Sequence, residues 1–335
     1  MNSKIFFLKS IRKIYKIITI AKERFNINVL KKIDNYESQL YENNVELFDQ
    51  EANDYVKNLL LSGEPCVIAK FGTIELSALV LYKSIQQKKY TLSEYFEYIK
   101  GQRPTLGWLE GIDALCNNAG FFPNDLTLLQ QFFEINNNAI KQIDVLGSYI
   151  YAEKFFKEEL NNAKKINIDG YYAPFYYKNP WTIALKGKKV LVVHPFDESI
   201  RSQYSKRKFI WEDENLLPEF ELITLKSVQT ISSQTSEYKT WFEALEAMKT
   251  QMSKINFDVA IIGCGAYGMP LAAHAKQIGK QAIHLAGWTQ VLFGIKGKRW
   301  VEMPKVNRYM NEYWEYPLES EKPQNFNKVE LGCYW

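Results

Sequence analysis

The chain predicts an α/β protein: a Rossmann-like, mostly parallel sheet covered by helices, with a helical N-terminal arm and a helical insertion. Three observations carry this. Short, largely β-branched apolar runs alternate with stretches of helical periodicity. Several of those runs end in glycine turns, where a parallel strand would hand over to a crossover helix. Apolar residues make up 46% of 335 and charged residues 24%, a globular composition with enough apolar surface for a sheet buried on both faces.

The arm comes first. Residues 1–32 hold nine Lys/Arg against one acid, Glu23, so this segment sums to +8 while the whole chain sums to +4. The remaining body is mildly acidic, which disfavours a nucleic-acid partner. Phe7, Ile11, Ile14, Ile18, Ala21 and Phe25 recur at helical spacing, with Lys9, Arg12, Lys13 and Lys16 largely elsewhere. No apolar run reaches the ~18 residues of a spanning helix, and cations interrupt any secretory signal core. The apolar side would lie on an anionic membrane, on the body, or on a second subunit of an oligomer. Four scattered cysteines and three histidines write no zinc signature; buried reduced thiols in the cytoplasm are expected.

The body divides into an N-terminal α/β part with a helical insertion (46–180) and a C-terminal Rossmann-like part with a tail (181–335), behind the arm (1–45). Asp54 to Leu61 reads as helix, Cys66 to Phe71 as a buried strand, and the run after Gly72 as a helix that Thr73 can cap. Residues 92–138 read as mainly helical. Ile143 to Gly147 and Ile166 to Ile168 read as strands flanking a helix, Ile150 to Asn161. The aromatic loop Tyr171 to Trp181 marks the boundary. Beyond it, Lys189 to Val193, Phe220 to Lys226, Asp258 to Gly263 and Ala282 to Gly287 read as strands. Ser199 to Ile210, the Tyr238-Trp241-Leu245-Met248-Met252 stripe and Met269 to Ile278 read as the helices between them.

Ligands of such sheets gather beyond the strand C-termini. There Gly263, Gly265 and Gly268, with Ala266 and Tyr267, spell G-x-G-x-x-G between a strand and a helix, a geometry that aims backbone N–H groups at a phosphate. A dinucleotide site needs an acid at the end of the next strand. That strand ends His284-Leu285-Ala286-Gly287, without one. Lys70-Phe71-Gly72-Thr73-Ile74-Glu75 places a carboxylate in the first turn of a helix, where it can meet a metal, a sugar hydroxyl or a proton. Alternatively, it offsets the helix dipole. His194, with Arg201 behind it, can support an anionic leaving group. Trp288, Gln290 and Lys296 belong to a cluster, running to Trp300, that mixes indoles with three cations. Asp144, Glu153 and Asp169 lie near strand ends as further acids.

Taken together, I-A-K-F-G-T-I-E, L-K-G-K-K-V-L-V-V-H-P-F and D-V-A-I-I-G-C-G-A-Y-G-M-P-L-A-A-H resemble bacterial glycosyltransferases of the GT-D fold type, which build surface glycans. N-A-G-F-F-P, P-W and a C-terminal G-C-Y-W resemble a branch of polysaccharide-locus proteins over roughly residues 45–335. The resemblance implies transfer of a sugar from a nucleotide diphosphate sugar donor to a lipid-linked or glycan acceptor, in capsule or lipopolysaccharide assembly. It implies catalytic roles for Glu75 and His194. Lys70, Gly72, Thr73, Arg201, Gly263, Gly265, Ala266, Tyr267, Gly268, Trp288, Gln290 and Lys296 would bind the donor. The enzyme is expected in the cytoplasm, and the basic arm, residues 1–32, where it does not pack on the body or a second subunit, would hold it at the inner face of the cell membrane. The family's Asp-x-Glu pair is associated with Mn²⁺ or Mg²⁺. Here Thr73 replaces the first acid and Lys70 the family's Arg, so Glu75 is left as the one carboxylate toward a metal. An NAD(P)-dependent oxidoreductase using the glycine loop, or a non-catalytic assembly scaffold, are the alternatives.

Overall fold

In the computed structural model, seven strands form one sheet: β1 (Val67–Ala69), β2 (Val145–Ser148), β3 (Lys164–Asn167), β4 (Lys189–His194), β5 (Glu221–Lys226), β6 (Val259–Ile262) and β7 (Gln281–His284). Their order is β3-β2-β1-β7-β6-β4-β5, and every neighbouring pair is parallel. The structure describes residues 2–28, 44–87, 89–106, 111–231, 236–323, 326–328 and 332–335, with the backbone alone for 2–5, 23–28 and 328. The strands before residue 181 and those after it meet where β1 pairs with β7, Ile68 beside Ile283.

Among the described residues, nine helices of seven residues or more surround or flank the sheet: α1 (Asn2–Asn28), α2 (Asp49–Ser62), α3 (Thr73–Gln86), α4 (Leu92–Ile99), α5 (Asp113–Ala119), α6 (Leu129–Ile140), α7 (Asp197–Ser205), α8 (Trp241–Lys254) and α9 (Gly268–Gln277). The period-2 alternation of the strands sorts their side chains into two cores. Val67, Leu191, Val193, Ala260 and Ile262 face α3, α5, α6, α8 and α9. Ile68, Val190, Val192, Val259, Ile261 and Ile283 face α2, α7 and the aromatic segments around Trp181, Trp211, Trp288 and Trp314. The Trp241-Leu245-Met248-Met252 stripe of α8 is core, fully buried or nearly so.

The chain leaves β4 through α7 on one face toward β5, and leaves β6 through α9 on the other face toward β7. These connections depart in opposite directions, so a crevice opens between β4 and β6 at their C-terminal ends. That is where an open parallel sheet receives its ligand.

Several expected elements differ. Ile150 to Asn161 is not an α-helix but a 3₁₀ segment, Tyr151–Phe156, followed by turns. The buried Glu153 carboxylate takes the N–H groups of Tyr149 and Ile150, both at 3.0 Å, and the Ser148 hydroxyl. This folds the entry back on itself. Ser199 to Ile210 is broken at Lys206 into α7 and the short turn Arg207–Ile210. Thr73 does not cap α3: the capping position is Gly72, and no side chain bonds there as a cap. The other strand limits move by one to three residues; β1 is the shortest at three.

The arm docks on α4. Leu8 packs into the small cluster of Tyr98 and Leu106. The Arg12 guanidinium lies 4.4 Å from the Tyr98 ring centre and donates to the Pro104 carbonyl at 2.7 Å. Lys31, Lys32 and the rest of 29–43 lie outside the described residues. Among those described, no helix is long and apolar enough to cross a membrane. Cys66, Cys264 and Cys333 are buried and Cys116 half-buried, none in a disulfide among the described residues.

Candidate functional site

A cavity of about 360 Å³ occupies the crevice, within the range of small-molecule sites. Every strand of the sheet's centre feeds it from its C-terminal end. Lys70 to Glu75 come from β1, Tyr149 from β2, and His194 to Phe196 from β4. Ser227 to Ile231 come from β5, Gly263 to Gly265 and Tyr267 from β6, and His284, Ala286 and Gly287 from β7. The helical insertion adds Asn118 to Gly120, and the C-terminal segment adds Gln290, Arg299, Tyr334 and Trp335.

The electrostatics are lopsided. Among the described residues, Glu75 is the one acid lining the cavity, against Lys70 and Arg299. The Lys70 ammonium is buried between Tyr149 and Tyr172, 5.6 and 6.0 Å from their ring centres. Arg299 lies over the Tyr334 ring at 4.8 Å and donates to its hydroxyl at 3.2 Å. The Tyr149 hydroxyl donates to the Phe71 carbonyl at 2.7 Å, and burial raises its pKa.

His194 is buried, and desolvation pushes its pKa down to about 3, so it is neutral at pH 7. Its Nδ1 accepts the Phe196 N–H at 3.0 Å. In a neutral ring the proton then sits on Nε2, which makes His194 a hydrogen-bond donor rather than a cation. His284 is likewise driven down to about 3, first by burial and then by the Lys70 charge. The His284 Nδ1, Ser227 Oγ and Trp335 Nε1 are buried without a hydrogen-bond partner. Buried polar atoms rarely stay unpaired, and these three residues all line the cavity.

The glycine loop behaves differently from a phosphate cradle. Gly265 sits at φ 57, in the left-handed region, and a Cβ on it would lie 2.7 Å from the Ala119 carbonyl. A Cβ on Gly268 would lie 2.2 Å from the His284 ring. These glycines therefore admit α5 and His284 at close range, and neither opens onto empty space. Two other helix N-termini at the crevice have a carboxylate of the protein itself beside them. At α3 the Glu75 carboxylate lies over Gly72, 1.9 Å from where a Cβ would stand. At α7 the buried Glu321 accepts from the Glu198 N–H at 2.8 Å, the Ser199 N–H at 3.3 Å and the Ser199 hydroxyl.

The expected site residues are thus partly assembled. Lys70, Gly72, Thr73, Glu75, His194, Gly263, Gly265, Tyr267 and Gln290 line the cavity; Arg201, Ala266, Gly268, Trp288 and Lys296 do not. Arg201 pairs outward with Asp197 at 2.8 Å and with Thr224, its side chain 50% exposed. Trp288 is buried and stacked on Phe175 at 5.9 Å. Lys296 lies 6.0 Å from the Tyr316 ring. Ala266 is buried in the core behind the loop. Gln290 holds the tail: it donates to the Tyr334 carbonyl at 3.0 Å and accepts from the Trp300 indole at 3.1 Å. Tyr267 stacks flat on Trp241, 5.2 Å apart.

Asp144, Glu153 and Asp169 all stay outside the cavity. Asp144 takes the Val67 N–H and pairs with Lys276, both at 2.8 Å. Burial raises Glu153 to about 7, opposed by its three donors. Thr73 and Glu75 offer one hydroxyl and one carboxylate, far from the six or more oxygens of a hard divalent ion. No group of three His, Cys, Asp or Glu is gathered among the described residues. By itself this protein donor set is a poor Mn²⁺ or Mg²⁺ site, and an ion here would take most of its oxygens from water and a bound ligand.

Fold and cavity define a parallel α/β protein with a crevice at the sheet's switch point, lined by two cations that each lie against tyrosine rings. No protein-family model matches the chain, and no curated protein matches it. One solved structure resembles it, a selenomethionine-substituted domain of unknown function 1792. That structure has a TM-score of 0.40 and 11% identity, over 86% of this chain and 96% of the other.

Proposed function

We propose that the protein is a glycosyltransferase that binds a nucleoside diphosphate sugar in this crevice. The observation that carries the reading is that Lys70 and Arg299 line one cavity together with Glu75, aromatic rings and three buried polar atoms that lack a hydrogen-bond partner. Two cations match the charge of a diphosphate, tyrosine and tryptophan faces suit a base or sugar ring, and the Ser227, His284 and Trp335 atoms would be satisfied by hydroxyls or phosphate oxygens.

In the reaction, the acceptor hydroxyl attacks the anomeric carbon while the bond from that carbon to the diphosphate oxygen breaks. Glu75 takes the acceptor proton. The departing diphosphate is stabilised by Lys70, Arg299 and the His194 Nε2–H, donors already in place before charge develops. A lipid-linked or glycan acceptor, as in capsule or lipopolysaccharide assembly, belongs to the same reading.

Thermal unfolding with UDP, other nucleoside diphosphates, their sugars and NADH, each with and without Mn²⁺, tests it. Ligands selective for the native state raise Tm. Stabilisation by a nucleoside diphosphate or its sugar, undiminished by chelator, is expected. Glu75→Gln should keep the nucleotide response in this assay, while donor-sugar turnover, followed by release of the nucleoside diphosphate, falls by at least about 100-fold, the scale of a lost general base. Stabilisation by NADH alone would replace the transferase with an oxidoreductase. No response to any nucleotide would leave a scaffold.

A further inference from the structure

We infer that α1 is an interfacial helix that lies on an anionic lipid surface. The helix touches the body along one narrow side, through Leu8 and Arg12 on α4. Its apolar stripe is turned away from that contact: Phe7, Ile14 and Ile18 remain 64%, 57% and 61% exposed. At 100° per residue these three fall within one narrow sector of the helix. Phe6 and Ile17 are exposed beside them, and α4 itself presents Leu92 and Phe96 to solvent. Monomeric proteins rarely leave such an apolar surface uncovered.

Charge identifies the occupant. Residues 6–22 carry Lys9, Arg12, Lys13, Lys16 and Lys22 and no acid. The four lysines are exposed, and Lys9, Lys13 and Lys16 stand on the side roughly opposite the Phe7-Ile14-Ile18 stripe. A second copy docked stripe to stripe would leave the lysines of both helices without any counter-charge. A bilayer with anionic headgroups accepts the apolar stripe at the acyl boundary and attracts the lysines at the headgroups. The described stretch from 6 to 22 spans about 25 Å, long enough to lie in the interface plane. This inference rests on the surface alone and is independent of what the crevice binds.

Flotation of the full-length protein with vesicles tests it. One vesicle set is phosphatidylcholine alone; the other is two parts phosphatidylcholine to one part phosphatidylglycerol. Binding is expected only to the anionic set and should weaken in high salt. Ile14→Ser with Ile18→Ser should lower partitioning at least about tenfold, because two buried isoleucines are lost. Lys13→Gln with Lys16→Gln should lower it about fivefold for each charge removed. All four side chains are exposed, so the Tm and nucleotide response of both variants should match wild type. Equal binding by wild type and the isoleucine variant, or binding to neither vesicle, would overturn the proposal. So would a self-associated form, seen by light scattering, that the isoleucine changes dissolve; the stripe would then join two copies.

Discussion

Single glycines separate the two readings of the G-x-G-x-x-G loop. If Gly268 serves backbone approach to a ligand, adding a methyl should weaken nucleotide binding while leaving the fold intact. Its surroundings argue otherwise, because the methyl would stand 2.2 Å from the His284 ring. Gly268→Ala should therefore lower stability by about 1–3 kcal/mol, the cost of overpacking a core. Gly187 provides the contrast: at φ 73 it has nothing within 4 Å of a Cβ. Gly187→Ala should cost about 1–2 kcal/mol from left-handed backbone alone. Urea unfolding at constant m would measure both. A Gly268→Ala protein of wild-type stability with weakened nucleotide binding would restore the phosphate-loop reading. Ala286, a non-glycine residue at φ 51 on the cavity wall, is the complementary case, a strained backbone held at the site.

At the level of elements, the strands and their ends were legible in the sequence because a doubly covered parallel strand must be a short apolar run. The turn after each run already pointed to Lys70, Glu75, His194 and Gly263. What local pattern could not reveal was which cations converge. Arg299 belonged to the same basic cluster as Lys296, but only the tertiary path of the C-terminal segment turns Arg299 inward and leaves Lys296 beside Tyr316. Tyr334 and Trp335 reach the cavity for the same reason, across a sequence separation that no periodicity records. Glu153 misled the helix expectation because a buried carboxylate competed with the backbone for its own N–H groups.

The segment that carries these residues is fastened at α7. Glu321 caps that helix, Leu318 donates its N–H to Ser199 Oγ at 3.0 Å, and Lys206 pairs with Glu315 at 2.6 Å. Glu321→Ala leaves buried N–H groups and the Ser199 hydroxyl without their acceptor, at about 1–3 kcal/mol. The same change should weaken nucleotide binding, since Arg299 and Tyr334 lose part of their anchorage. Loss of stability with unchanged affinity would show that Gln290 and the backbone bonds from Lys298 to Trp335 and from Arg299 to Cys333 hold the wall in place without Glu321.

For the whole molecule, buried titratable groups set the response to acid. His194 and His284 are held near a pKa of about 3 against an ordinary 6.5. Below pH 6.5 the unfolded chain takes up these protons and the native state does not. Stability therefore falls as pH drops toward 3, by about 1.4 kcal/mol per pH unit for each such histidine. Glu153 works in the opposite sense. Its pKa is raised from 4.5 to about 7, so the native state retains a proton that the unfolded chain releases, and this contribution is lost as pH rises from 4.5 to 7. Between pH 6.5 and 4.5 one histidine's worth of acid loss is offset. Below 4.5 both histidines act unopposed, and the slope should steepen about twofold. Glu153→Gln should remove the offset, so that the steep slope begins near pH 6.5. His284→Asn should shallow the slope throughout. Tm measured from pH 7 to 3.5 in the three proteins reads these differences directly. A wild-type curve that does not steepen below pH 4.5, or a Glu153→Gln curve that overlays wild type, would mean that Glu153 is ionised at neutral pH, held so by the Ser148, Tyr149 and Ile150 donors.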